Sequence, residues 1–250
     1  MNEKAIDISI PLRFNGPQPN AYGVDPAKAE PVRAGSLVGD TRQGGSVNFE
    51  QYTFIPHCSG THTECVGHIT HERISIRDCL RDVIIPAVLV SVTPDPRGDE
   101  PLITRTALET SINAVNSETE TPEALIVRTL PNDPAKLTRH YGTDDPDSVR
   151  IPPYFAEEAM RFIVEHGFRH LLVDLPSIDR LYDDGALINH RLFWNVDAGS
   201  FEVNSETRVN STITELVYVA DEVADGPYTL NLQIAPFDSD CAPSRPVLLR

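Results

Sequence analysis

Runs of apolar residues along the chain predict a set of buried strands. The last of them alternates apolar and polar positions and would place Leu230, Leu232 and Ile234 on one face, whereas the earlier ones are nearly continuous. The predicted strands are Ala5–Ile10, Ile85–Val92, Ala124–Thr129, His170–Asp174 and Tyr228–Ala235.

Three segments between these strands predict helices: Ile76–Val83, Thr104–Ala114 and Pro153–His166. The third has the strongest signals, because Pro153 suits a first helical turn and Gly167 follows directly after the end. Strands that alternate with helices predict an α/β domain with at least a partly parallel sheet. A length of 250 residues favours one domain over residues 1–250.

Residues 13–48 are rich in Gly, Pro and Asn and have little periodicity. They predict a mostly irregular arm or lid after the first strand. Phe14 and Tyr22 would either cover a small aromatic or cyclic substrate, in the same subunit or a partner, or pack the arm against the domain. Residues 94–101 and 131–146 predict further loops.

Composition narrows the possible partners and the cellular location. The net charge of −16 repels phosphate backbones and makes nucleic acid an unlikely partner. The longest apolar runs are too short for a membrane span, and the first residues lack the pattern of a secretion signal, so a cytoplasmic protein is expected. The four cysteines form no CxxC pair and predict buried thiols rather than disulfides.

Four of the eight histidines, His57, His62, His68 and His71, fall within fifteen residues, with Glu64 and Cys58 among them. Imidazole, carboxylate and thiolate are the groups that bind zinc and similar ions, so the segment predicts a metal site. In an extended chain, Cys58, His62 and Glu64 share a parity and would point the same way, whereas His57 and His71 would not. This spacing favours Cys58 over His57 as a ligand, with a buried thiol beside the site as the alternative.

Further ligands are expected downstream, because one segment rarely completes a metal site. The strand His170–Asp174 runs into a polar segment that contains Ser177 and Asp179, at an end of the sheet where α/β domains bind ligands. His190 and Glu215 are two more candidates. Glu215 has apolar neighbours, so it is either buried and metal-bound or solvated on an edge strand.

The motif around these histidines resembles the pattern H-x-G-T-H-x-D-x-P-x-H of the metal-dependent cyclase-like hydrolase family. That family includes bacterial kynurenine formamidase and isatin hydrolase. In this chain the motif reads Cys58-Ser59-Gly60-Thr61-His62-Thr63-Glu64-Cys65-Val66-Gly67-His68. Other family segments are similar to stretches in the same order, and these are Ile6–Leu12, Ala124–Thr129, Val173–Asp179 and Pro243–Pro246.

The resemblance implies a swivelling β/β/α fold in a single domain with a mixed sheet, assembled as a homodimer or homotetramer. It implies one or two divalent ions, zinc or alternatively manganese, and hydrolysis of an amide or a cyclic amide or ester. By position, the implied metal ligands are Cys58, His62, Glu64, His190 and Glu215, with Glu64 able to bridge two ions. His68 would be the general acid/base. Asp174, Ser177 and Asp179 would support these groups by hydrogen bonds.

Three departures from the family motif motivate alternative functions. Cys58 replaces a histidine, Glu64 replaces an aspartate and Val66 replaces a proline. Three anionic ligands on one zinc ion would weaken it as a Lewis acid. One alternative is therefore a non-catalytic metal or small-molecule binding protein on the same scaffold. Another is a hydrolase that uses Cys58 or Cys65 as its nucleophile.

Overall fold

Nine strands form one sheet in the computed structural model, which describes residues 5–97, 100–115, 121–142 and 151–250. In chain order they are β1 (Ile6–Asp7), β2 (His62–Glu64), β3 (Ile84–Val92), β4 (Ala124–Thr129), β5 (His170–Val173), β6 (Thr212–Glu215), β7 (Gly226–Asn231), β8 (Cys241–Pro243) and β9 (Val247–Leu249).

The four central strands, β3, β4, β5 and β6, pair in parallel with one another. Antiparallel strands flank them, with β7, β9 and β1 beyond β3 and with β2 and β8 beyond β6. Parallel strands with both faces covered carry continuous apolar runs, which is why β3, β4 and β5 were recognisable in the sequence. The prediction of a single α/β domain with a mixed sheet is confirmed.

Helices connect these strands and cover the sheet. They are α1 (Pro56–Ser59), α2 (Ile76–Cys79), α3 (Arg105–Ala114), α4 (Glu157–Glu165) and α5 (Ile188–Trp194), with 3-10 helices at Thr41–Gln43, Val66–His68 and Pro134–Thr138. The Thr104 side chain caps α3 by accepting a hydrogen bond from the backbone N of Ala107. None of the helices in the described residues combines the length and apolar character that crossing a membrane requires.

Short strands outside the main sheet organise the arm and two loops. Lys28–Pro31 pairs with Glu50–Thr53, Arg33–Ala34 pairs with Leu37–Val38, and Asn20–Ala21 pairs with His140–Tyr141. Glu100–Ile103 pairs with both Asp95–Arg97 and Tyr154–Phe155. Short strands therefore occur within the predicted arm, and the prediction of a loop over 94–101 is wrong at its described residues 95–97 and 100–101. Residues 143–146 of the other predicted loop lie outside the described residues.

Alternate residues of the central strands enter two separate apolar cores. Leu125 and Val127 of β4 pack into the core beneath α3, α4 and α5, whereas Ala124 and Ile126 pack into the core that includes α2. Of the predicted helices, α3 agrees closely, α2 is only one turn long, and α4 begins at Glu157 rather than Pro153. Tyr154 and Phe155 form a strand instead.

The main sheet curls so that the chain after β1 meets the chain after β6. Ser9 forms a β-bridge with Val217, and the backbone N of Tyr218 donates to the Ile8 carbonyl at 2.8 Å. The Thr61 hydroxyl accepts from the backbone N of Ile10 at 2.7 Å and donates to the Leu216 carbonyl. These contacts hold the start of β2 against the end of β6.

A buried histidine in the sheet gives a prediction about stability. His170 on β5 contacts the Thr212 hydroxyl at 2.8 Å through Nδ1, and burial lowers its pKa from 6.5 to about 4. The unfolded chain takes up a proton at this position below pH 6.5, whereas the folded chain does so only near pH 4. Unfolding free energy is therefore expected to fall by about 3 kcal/mol across this window.

His170→Gln should remove this component of the pH dependence while still offering a hydrogen bond to Thr212. Chemical denaturation of both proteins at a series of pH values measures the difference. Parallel profiles for wild type and variant would show that His170 does not contribute.

Candidate metal centre

The antiparallel pairing of β2 with β6 places His62 directly opposite Glu215. The His62 Nε2 atom lies 3.5 Å from Glu215 Oε2, and both side chains are buried. Leu216, which follows Glu215, has a φ of 55°, in the left-handed region that is uncommon for a residue other than glycine. The backbone turns sharply there, so Glu215 is the last residue of its strand.

Glu64 lies on the same face of β2, and His190 reaches it from α5. The Glu64 Oε1 atom is 3.1 Å from His190 Nε2, and His190 Nε2 is 3.9 Å from Glu215 Oε1. The donor atoms of Glu64, His190 and Glu215 all lie within 4.8 Å of one another. The structure thus brings together four of the five ligands predicted from the sequence: His62, Glu64, His190 and Glu215.

The free nitrogen of His62 shows that this donor set fits a cation. His62 Nδ1 contacts the Gly60 carbonyl at 2.9 Å, which leaves Nε2 buried without a hydrogen-bond partner. Tetrahedral ligands at about 2.1 Å from an ion are roughly 3.4 Å apart, close to the spacing of these atoms. A divalent ion would satisfy His62 Nε2, which has no hydrogen-bond partner, and would neutralise two carboxylates.

A second, more open group of donors adjoins the first through the other oxygen of Glu64. Glu64 Oε2 is 3.6 Å from His57 Nε2 and 3.9 Å from His68 Nε2. The His57 and His68 rings stack with centroids 4.6 Å apart, and both side chains are partly exposed. The described residues therefore offer two groups of possible ligands that share Glu64.

The position of His57 differs from the expectation drawn from spacing. His57 and Cys58 lie in the helical turn α1, where neighbouring residues diverge by about 100° and the parity of an extended strand does not apply. In the described residues, His57 is part of the open donor group and Cys58 is part of neither group.

Gly60 and Gly67 leave room for neighbouring chain segments, because a Cβ at Gly67 would clash with the Ile74 carbonyl oxygen.

The segment after β5 supports the site in two ways. Asp179 Oδ2 is 2.6 Å from His190 Nδ1, an arrangement of carboxylate and histidine that fixes which nitrogen faces the ion. The backbone N of Ile178 donates to Glu215 Oε1 at 3.0 Å, and the Ser177 hydroxyl accepts from the backbone N of Asp179 at 3.1 Å. Ser177 therefore shapes the turn that carries Asp179.

Asp174, the other residue predicted to support the site, has different partners. It forms a buried ion pair with Lys136 at 2.7 Å and accepts from the backbone and hydroxyl of Thr129. Burial raises the pKa of Asp174, although Lys136 and Thr129 oppose that shift. Its contacts join β4 and β5 and include none of the four buried donors.

Negative charge dominates the electrostatics of the centre. Burial would lower the pKa of His190, but the hydrogen bonds to Asp179 and Glu64 raise it well above its ordinary value. Burial would likewise lower the pKa of His62, but Glu215 raises it. Burial would raise the pKa of Glu64, yet His68 and His190 hold it below its ordinary range. The carboxylates thus attract protons to the imidazoles, and a divalent cation would replace that positive charge.

The arm reaches this centre through Tyr22. The Tyr22 phenol lies near Ser177 and Glu215, and burial together with the negative charge of Glu215 raises its pKa. Its backbone has a φ of 61°, and its ring contacts Tyr182 edge-on with centroids 6.4 Å apart. Phe14 instead packs on Tyr52, with ring centroids 4.4 Å apart. Phe14 therefore packs within the arm, whereas Tyr22 packs on Tyr182 and is influenced by the charge of Glu215.

Cys58 and Cys65, the two cysteines considered as nucleophiles, are poorly suited to that role. Burial raises the pKa of Cys58 to about 11, and the charge of Glu215 adds to that shift. A hydrogen bond with Cys79, together with burial, raises the pKa of Cys65 far above its ordinary value. Nucleophilic cysteines have lowered pKa values, so these thiols disfavour the hypothesis of a cysteine-dependent hydrolase.

Comparison with known proteins gives the family. A family model described as a putative cyclase matches residues 6–180. The chain belongs to the putative cyclase family. A kynurenine formamidase of Bacillus cereus is 29% identical over 250 residues, which cover 97% of this chain and 96% of the relative.

Two solved structures share the fold of this chain. Isatin hydrolase A from Labrenzia aggregata, bound to benzyl benzoate, has a TM-score of 0.66 at 14% identity, covering 98% of this chain and 93% of that chain. A predicted metal-dependent hydrolase from Bacillus stearothermophilus has a TM-score of 0.62 at 16% identity, covering 99% and 98%. The family and the cyclase-like fold predicted from the sequence are confirmed, and a non-catalytic binding protein is not favoured.

Cys58→Ser tests whether Cys58 or the neighbouring His57 contributes to metal binding. From the geometry, the variant is expected to keep the metal content of the wild type, because the thiol lies outside both donor groups. Elemental analysis of the purified variant measures this. A loss of metal would support the sequence-based assignment of Cys58 as a ligand.

Proposed function

We propose that this chain is a metal-dependent hydrolase that cleaves the C–N bond of an amide or a cyclic amide, or the related bond of an ester. The observation that carries the proposal is the buried set His62, Glu64, His190 and Glu215, in which His62 Nε2 has no hydrogen-bond partner. The formamidase relative and the isatin hydrolase fold support hydrolysis of a small amide rather than a macromolecular substrate.

We assign the buried set as the ligands of the ion and the open group as the side that substrate approaches. A divalent ion held by these residues would polarise a substrate carbonyl and lower the pKa of a nearby water. His68 borders the ligands and remains partly exposed, so it is placed to accept a proton and return it to the leaving nitrogen or oxygen. Asp179 holds His190 in the orientation that the site needs.

The proposed ligands avoid the weakening of the ion as a Lewis acid that three anionic ligands would cause. Without Cys58, two carboxylates balance the charge of a divalent ion, so the ion is not surrounded by three anions. Two imidazoles and two carboxylates suit zinc or manganese, and we propose zinc first. Tyr22 covers the site from the arm, where it would contact a small aromatic or cyclic substrate.

The remaining proposals concern the protein in the cell. We propose a cytoplasmic enzyme assembled as a homodimer or homotetramer. Light scattering coupled to gel filtration gives the subunit number directly, and a monomer would contradict this assembly.

A substrate panel tests the proposed reaction. Purified, metal-loaded protein is incubated with aryl formamides, cyclic amides such as isatin, and lactones, and products are followed by absorbance and mass spectrometry. We expect turnover of at least one aromatic or cyclic amide, at a rate that depends on bound metal. No turnover on any member by fully metal-loaded protein would contradict the proposal and favour a binding role.

A further inference from the structure

One carboxylate outside the predicted site contacts both histidines of the open group. Asp240 directly precedes β8, and its backbone carbonyl accepts a hydrogen bond from the backbone N of Cys65 at 3.0 Å. Its Oδ1 atom accepts from the Ser239 hydroxyl at 3.2 Å. Its Oδ2 atom lies 3.0 Å from His57 Nε2 and 3.5 Å from His68 Nδ1. The carboxylate is thus fixed at one end and faces two imidazoles at the other.

A carboxylate can only accept hydrogen bonds, so the 3.0 Å contact assigns the His57 proton to Nε2. The longer contact of 3.5 Å sets His68 Nδ1 beside the same carboxylate oxygen and favours the His68 tautomer that is protonated on Nδ1. Neutral His68 then carries its lone pair on Nε2. That atom lies 3.9 Å from Glu64 Oε2, too far for a hydrogen bond, and it borders the buried ligands.

The other histidines of the centre have their Nε2 atoms engaged or directed into the buried donor set. His62 turns Nδ1 to the Gly60 carbonyl and Nε2 into the buried donor set. His190 lies between Asp179 and Glu64 with both nitrogens engaged. The Nε2 atom of His57 is held by Asp240. In the described residues, His68 Nε2 therefore borders the buried donors without belonging to that set and without contacting Asp240, so it can accept a proton.

We propose that Asp240 is a positioning residue for His68: it holds the ring in the tautomer and orientation that direct Nε2 toward the substrate. The stacked His57 ring shares the carboxylate and restricts rotation of the pair. When His68 takes up a proton, the adjacent carboxylate stabilises the imidazolium, as in other catalytic pairs of carboxylate and histidine. This inference rests on the proposed function, because it assigns a proton-transfer role to His68.

Asp240→Asn tests the inference. The asparagine amide can donate to His68 Nδ1 and would favour the opposite tautomer, with the proton on Nε2. We expect kcat to fall about a hundredfold to ten-thousandfold, with metal content unchanged and KM within a few-fold of wild type. Asp238→Asn is the matched control, since it removes the same charge from an exposed position in the same loop and should retain full rate.

The double variant separates positioning from an independent effect. If Asp240 acts through His68, adding Asp240→Asn to His68→Asn should cost little beyond the larger single effect. A multiplicative loss would overturn the inference, and so would full activity of Asp240→Asn. Loss of metal in Asp240→Asn would also overturn it, because the open group would then hold an ion.

A spectroscopic readout keeps this inference distinct from the proposed function. The nitrogen chemical shifts of 15N-labelled histidine report the tautomer of His68 without any substrate. We expect the form protonated on Nδ1 in the wild type and the opposite form in Asp240→Asn. The same tautomer in both proteins would contradict the positioning role even if the enzyme is active. An inactive wild type with the expected tautomers would contradict the hydrolase function alone.

Discussion

His62→Ala is expected to lose bound metal and activity together. The substitution removes a neutral ligand whose Nε2 atom is buried, and it leaves Glu215 without its imidazole partner at 3.5 Å. Loss of an outer hydrogen-bond partner already weakens metal binding about 10- to 100-fold, so loss of a ligand should weaken it at least about a hundredfold. Elemental analysis and turnover on a substrate of the wild type are measured on the same preparation.

His71→Ala is the matched control for this variant. His71 belongs to the same histidine-rich segment but stacks on Phe201, with ring centroids 4.9 Å apart, outside both donor groups. It should keep the metal content and the rate of the wild type. Equal impairment of the two variants would show that the assignment of ligands within the segment is wrong.

His68→Asn is expected to keep the buried ion and to lose most of its turnover. The four buried donors are unchanged in this variant, whereas the proton acceptor on the open side is removed. Loss of a general acid/base typically costs about a hundredfold to ten-thousandfold in rate. Metal content is compared with kcat in a single preparation at pH 7.

Two other results for His68→Asn would contradict this role. A metal-free variant would make His68 a ligand. A variant with metal and the full rate would remove His68 from the mechanism and leave the hydrolytic step without an assigned acid–base group.

The central strands were predictable because burial on both faces requires continuous apolar runs. Ile85–Val92 and Ala124–Thr129 correspond closely to β3 and β4. The strands that carry the ligands were harder to identify. His62–Glu64 and Thr212–Glu215 are fully buried yet mostly polar, because His62, Glu64 and Glu215 belong to the candidate metal centre and the hydroxyls of Thr63 and Thr214 hydrogen-bond between the strands. Hydrophobic periodicity gives no signal for such strands.

Sequence spacing predicts which side chains share a face only where the backbone has the extended conformation that the argument assumes. His62 and Glu64 do share a face of β2, and the resemblance placed His190 and Glu215 beside them. The parity argument for Cys58 over His57 assumed an extended chain, whereas both residues lie in the helical turn α1, so that choice of ligand stays a prediction. Spacing within the histidine-rich segment could not identify Asp240, which lies 172 residues beyond His68. Asp240 is brought to the site by the pairing of β8 with β2. The adjacent closing segment Pro243–Pro246 was the one available signal.

Metal removal and return tests the central claim most directly. The purified protein is treated with a chelator until elemental analysis shows no zinc or manganese, and its activity is then followed as each metal is added back. We expect the metal-free protein to be inactive and activity to rise in proportion to bound metal, with saturation at one or two ions per chain. Full activity in the metal-free protein would contradict a metal-dependent hydrolase built on His62, Glu64, His190 and Glu215.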